Sequence, residues 1–139
     1  MKQVVVLLVE DSKVQKLANE RILHRAGYIV LSAADGEEAL RVARDKLPDV
    51  ILLDMLLPKL SGPEVLHALK EDPATAQIPV IALSGLPQCN EAKLTQEGAA
   101  SYFEKSRLVD DVLGEAAFLE MISRVLRKLN NKKAAAAGV

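Results

Sequence analysis

The chain lacks tryptophan, and aromatic residues make up 3% of its 139 positions. It has one cysteine, Cys89, and two histidines, His24 and His67. Each scarcity excludes something. One cysteine rules out an internal disulfide and a cysteine-built zinc cage. The two histidines stand apart, and neither has metal-ligand spacing around it. So few aromatics leave no stacking platform for nucleic-acid bases. A net charge of −1 provides no bulk attraction to nucleic acid or to an anionic membrane. No apolar run approaches the length of a membrane span. Val4 to Val9 is too short for a signal-peptide core and lacks a cleavage signal. What remains is one ordinary soluble domain, 50% hydrophobic and 27% charged, with the cytoplasm as its default location.

The chain is organised around Val50-Ile51-Leu52-Leu53-Asp54. The four apolar residues read as a strand buried on both faces, and it stops on a carboxylate. Met55 to Pro63 follows, a loop with Pro58, Gly62 and Pro63. An acid there stands on the rim of the sheet, where open parallel sheets bind their ligands.

Other segments fall in around it. Val4 to Val9 reads as a second buried strand, ending in Glu10-Asp11. Ser12 is a natural N-cap for a helix with Val14, Leu17, Ala18 and Ile22 as its apolar stripe and Gly27 at its end. Tyr28 to Leu31 is a short strand. Asp35-Gly36-Glu37-Glu38 caps a helix with Ala39, Leu40, Ala43 and Leu47 on its inner face. Pro63 opens a helix burying Val65, Leu66 and Leu69, and Asp72-Pro73 stops it. Ile78 to Leu83 is a strand ending at Ser84-Gly85. Gln88 to Glu97 is a weaker helix that Gly98 ends. Ala99 to Phe103 is a fifth strand, followed by Glu104-Lys105. Glu115 to Leu129 is a longer helix, buried through Phe118, Met121, Ile122, Val125 and Leu129. Residues 1–130 form the domain, and 131–139 are expected to fray or be disordered.

Strand and helix alternate, so the fold is α/β: a parallel sheet with helices on both faces. Right-handed crossovers put every strand C-terminus on one edge. Asp11, Asp54, Ser84 and Lys105 all reach that edge, and their chemistry is complementary. Clustered carboxylates become favourable around a hard divalent cation, Mg²⁺ above all. Asp11 and Asp54 would ligate it directly and Glu10 through water. A carboxylate can also attack phosphorus, giving an aspartyl phosphate, and Asp54 is the preferred nucleophile. Lys105 would neutralise charge, and the Ser84 hydroxyl would donate to a phosphoryl oxygen. Each feature also has a plain reading: a solvated lysine, a simple turn, acids favouring a helix dipole.

Together these residues resemble the receiver domain of bacterial response regulators of two-component systems, of the chemotaxis single-domain kind. The resemblance runs to about Leu129. Glu10-Asp11 resembles the family's metal-binding pair. Asp54 with Pro58 and Gly62 looks like the phospho-acceptor and its loop. Ser84 and Tyr102 fall where the family has its switch residues, with Tyr102 three before Lys105. Ala34 to Leu40 resembles the usual start of the second helix. The resemblance implies a flavodoxin-like doubly wound sheet of five parallel strands in the order 2-1-3-4-5. It implies Mg²⁺ held by Glu10, Asp11, Asp54 and the backbone carbonyl of Leu56. It also implies a phosphoryl group passed from a histidine kinase or histidine phosphotransfer protein to Asp54. Ser84 then moves to the phosphate and Tyr102 turns inward. An unknown output protein reads the face of helix four, strand five and helix five. A monomer or a weak phosphorylation-dependent dimer is expected, and no catalytic turnover beyond the domain's own phosphorylation and dephosphorylation.

The sequence departs from the family pattern in places. Ser106 follows Lys105 where the family has proline after a cis peptide. A non-proline cis bond costs about 3 kcal/mol, so a trans bond with a rearranged loop, or a strained bond, is expected. The segment Ser106 to Gly114 is longer than usual. Leu56 and Leu86 flank the approach of a hydrolytic water, so slow loss of the phosphoryl group is expected. Two other readings compete. One is a phosphorylation-independent binding module on the same fold. The other is a phosphatase or mutase with an aspartyl-phosphate intermediate. Enzymes of the haloacid-dehalogenase kind need an Asp two residues after the nucleophile, where Leu56 stands, and no cap domain is present. The basic set Arg124, Arg127, Lys128, Lys132 and Lys133 reads as a solvated helix face.

Overall fold

The computed structural model describes residues 3–85, 91–108 and 112–136, without the side chains of Glu91 and residues 132–136. Leu86 and the expected helix start at Gln88 lie outside the described residues. Strands β1 (Val5–Val9), β2 (Ile29–Ala33), β3 (Val50–Asp54), β4 (Val80–Ser84) and β5 (Ser101–Glu104) alternate with helices. These are α1 (Lys13–Arg25), α2 (Gly36–Lys46), α3 (Gly62–Glu71), α4 (Glu91–Gln96) and α5 (Val112–Ala136). The sheet order is β2-β1-β3-β4-β5, and every pairing is parallel. The expected doubly wound, flavodoxin-like architecture is therefore present.

β3 and β4 are buried along their whole length, as continuous apolar runs require. Alternate residues supply two cores. One holds Leu7, Ile51, Leu53, Val65, Leu66, Leu69 and Tyr102. The other holds Leu8, Leu23, Leu52, Ile81, Phe103, Phe118 and Ile122. Phe103 and Phe118 meet with ring centroids 5.3 Å apart. Register is thus locked, since a one-residue slip would exchange the two faces.

Caps explain several helix ends. Ser12 and Asp35 accept from Gln15 and Glu38 backbone amides, at 3.4 and 2.9 Å. Ser61 and Glu64 form a two-way capping box at the start of α3. Asp72, held extended by the following proline, ends α3. Gly62 is needed for close approach: a Cβ there would lie 2.7 Å from the Asp54 carbonyl oxygen.

The structure corrects some apolar stripes. In α1 the buried residues are Asn19, Ile22 and Leu23, while Val14 and Leu17 are 79% and 61% exposed. The first turns of α1 overhang an open groove of about 460 Å³ instead of the core, and Val14 and Ala18 line it with Lys105 and Leu108. Leu47 is likewise exposed, because it is the left-handed C-cap of α2 (φ 46°) and no longer on its inner face. α5 (Val112–Ala136) runs further at both ends than the Glu115–Leu129 pattern. Lysine and alanine at its C-terminal end are strong helix formers, which carries the helix past its buried portion.

Candidate functional site: an acidic pocket at the strand ends

β1 and β3 are neighbours in the sheet, so their terminal acids arrive together. Glu10 continues β1 by donating its amide to the Ala33 carbonyl at 3.0 Å. Asp54 is the last residue of β3, and Met55 continues the ladder to the Leu83 carbonyl at 2.9 Å. Glu10 and Asp54 are both buried, each 2% exposed, whereas Asp11 is exposed. Carboxylate oxygens of Glu10, Asp11 and Asp54 all lie within 4.8 Å of one another. An oxygen-only set of this kind suits a hard divalent cation.

Lys105 reaches in from the end of β5. Its Nζ lies 2.8 Å from Asp54 Oδ2 and 3.2 Å from each Glu10 oxygen. The other Asp54 oxygen accepts from the Leu56 amide at 3.0 Å. Asp54 is therefore held on both sides. Burial pushes the Glu10 carboxyl up from 4.5 to about 8, helped by its hydrogen bond to Asp54 and the Asp54 charge, with Lys105 opposing. Burial acts to lower the Lys105 ammonium, but hydrogen bonds and charges of Asp54 and Glu10 outweigh it and raise the group above 10.5. Acid and base thus share one proton-rich knot.

Ser84 ends β4 and is buried, 3% exposed. It lines a cavity of about 300 Å³ with Met55, Leu56, Ser61 and Leu94. Tyr102 pairs with Ala82 in register and is buried in the core that holds Leu94 and Ala99. Among the described residues no peptide bond is cis, so Lys105–Ser106 is trans. The trans chain is accommodated by a 3-10 turn over Lys105–Leu108. Arg107 stacks 5.0 Å over the Phe103 ring, and Gly114 lets α5 close against the Arg107 carbonyl.

The sequence reading did not find the Leu56 amide. A backbone donor carries no side-chain signal, and only the turn geometry reveals it.

The model of the response regulator receiver domain family matches residues 6–117. The chain belongs to this family. It is 36% identical over 101 residues to the polar-differentiation response regulator DivK of Brucella anthropi, covering 72% of this chain and 82% of that one. A gliding motility regulatory protein of Myxococcus xanthus is 37% identical over 116 residues, but the chain spans only 15% of its length. Among solved structures, the chemotaxis response regulator CheY4 of Vibrio cholerae superposes with a TM-score of 0.78 at 27% identity, covering 89% of this chain and 99% of that one. The receiver domain of a sensor histidine kinase from Pseudomonas aeruginosa gives 0.76 at 29%, covering 90% and 98%. That structure holds a magnesium ion in its active-site cleft. The chain is thus a receiver domain of two-component signalling, a signalling domain and not a classical enzyme. None of its described helices is long and apolar enough to cross a membrane.

Proposed function

We propose that this receiver accepts a phosphoryl group on Asp54 from a phosphohistidine of a histidine kinase or phosphotransfer protein. The observation that supports it most is Lys105 Nζ at 2.8 Å from Asp54 Oδ2 inside a carboxylate trio. An Asp54 oxygen forms the new bond to phosphorus as the phosphorus–nitrogen bond breaks, and the histidine leaves. Lys105 offsets charge on the transferred group, and the Ser84 hydroxyl donates to one of its oxygens. Mg²⁺, held by Asp11, Asp54 and the Leu56 carbonyl with Glu10 through water, would supply the remaining charge neutralisation. The new charge biases a two-state element, read out by an output protein at α4, β5 and α5 through Ser84 and Tyr102. We place the protein in the cytoplasm, as a monomer or a weak phosphorylation-dependent dimer.

Incubation with acetyl phosphate and Mg²⁺ should label the wild type on one residue, mapped to Asp54, and leave Asp54→Asn unlabelled. A label on another side chain, or none with either acetyl phosphate or a kinase, would sink the proposal. A wild type indifferent to beryllofluoride with Mg²⁺ would favour the phosphorylation-independent binding module instead.

Leu56 is 64% exposed beside this pocket. Its apolar side chain offers a hydrolytic water no hydrogen bond on approach. The phosphoryl group should therefore persist for minutes or longer, followed by loss of radiolabel from the purified phosphoprotein. Decay within seconds would contradict it.

A further inference from the structure

The loop from Met55 to Ser61 does more than connect β3 to α3. Its Leu56 amide orients Asp54 by donating to Oδ1 at 3.0 Å. The loop closes on itself through the Gly62 amide and the Met55 carbonyl, 3.2 Å apart. What fixes its far side is the turn between β2 and α2. Lys59 is left-handed at φ 67°, and its ammonium faces Asp35 Oδ2 at 3.5 Å and Glu37 Oε2 at 4.0 Å. The next residue, Leu60, is pressed onto Gly36. A Cβ at Gly36 would lie 2.6 Å from Leu60 Cβ, 2.8 Å from Leu60 O and 2.7 Å from Val65 Cγ2. Leu60 O is main chain, so the crowding could not be relieved by a rotamer change alone.

We infer that Gly36, with the Asp35–Lys59 pair, is a positioning element for the phospho-acceptor, acting through Leu60 and the loop on the Leu56 backbone. Gly36 is not one of the pocket acids Glu10, Asp11 and Asp54. The turn at the sheet's edge strand is thereby tied to the loop whose amide and carbonyl flank Asp54. This rests on the proposed Mg²⁺ and phosphoryl site.

Gly36 is the first residue of α2. Alanine is a better helix former there than glycine, so the helix itself should not suffer. In Gly36→Ala the added methyl should displace Leu60 and weaken Mg²⁺ binding by about tenfold, as loss of an outer support does at other metal sites. Amide exchange at Leu56 should quicken in the metal-free protein. Lys59→Met, which keeps the side-chain stem and loses the charge, should show the same changes to a smaller degree, about twofold.

Titration calorimetry with MgCl₂ and amide exchange in chelator test this together. Wild type that takes up no Mg²⁺ would defeat the site reading, and Leu56 exchange then judges the tie alone. Wild type that binds Mg²⁺ beside a folded Gly36→Ala with unchanged affinity and unchanged Leu56 exchange would overturn the inference. If Gly36→Ala does not fold, Lys59→Met decides: unchanged affinity and exchange overturn it.

Discussion

Lys105→Met is expected to lower the melting temperature of the metal-free protein by about 10 °C. Methionine keeps most of the apolar stem and removes only the charge, so packing is largely conserved. The lost ammonium sits between two buried carboxylates, at 2.8 Å from one and 3.2 Å from the other. Removing one member of a buried ion pair costs about 3 to 5 kcal/mol, because the other is left uncompensated. Burial raises the Glu10 carboxyl to about 8, so Asp54 bears most of the orphaned charge and the cost lies at the lower end, about 3 kcal/mol. For a chain of this size that corresponds to about 10 °C. Mg²⁺ should stabilise the variant more than the wild type, because one competing cation has gone. Thermal melts in chelator and in MgCl₂ read both effects. A melting temperature within a degree or so of wild type would make Lys105 the solvated loop lysine of the plain reading.

Stability of the metal-free protein should fall as pH rises from about 4.5 to about 8. Glu10 sets this window, since its carboxyl lies at 4.5 ordinarily and about 8 in the fold. Between those values the folded protein holds a proton that the unfolded chain has lost. Its stabilisation is complete below the lower value and is gone once pH passes the upper one. The swing is on the order of a few kcal/mol. Lys105, raised above 10.5, keeps its contribution until pH passes that range and adds no slope in the window. Denaturant melts of wild type against Glu10→Gln isolate the effect: the difference should change steadily from pH 5 to 8. Parallel curves would refute it. By the same linkage, Mg²⁺ uptake at pH 7 should release close to one proton, measurable by calorimetry in buffers of different ionisation enthalpy.

Much of this protein could be read before its structure. The apolar runs ending in Glu10-Asp11, Asp54 and Ser84 are local signals, and they marked both the strands and the rim. Pro63, Gly27 and Asp72-Pro73 marked helix ends for reasons of backbone geometry alone. The misreadings came where local pattern met a non-local neighbour. Val14, Leu17 and Ala18 share the apolar periodicity of a buried face, yet Val14 and Ala18 line an open groove and Leu17 is exposed. Leu47 continues its helix's stripe in sequence and leaves it in space, because the chain turns left-handed there.

The order of residues by itself determined the α/β alternation, the acids and lysine at the strand ends, and the family they resemble, because periodicity and charge are properties of neighbours along the chain. Only the tertiary structure decided that Lys105 bridges Glu10 and Asp54, that the peptide after it is trans, that Tyr102 lies in the core, and that Leu60 packs closely on Gly36. Those depend on how far apart strands, loops and backbones stand once packed, and distance across a fold is not written in local sequence.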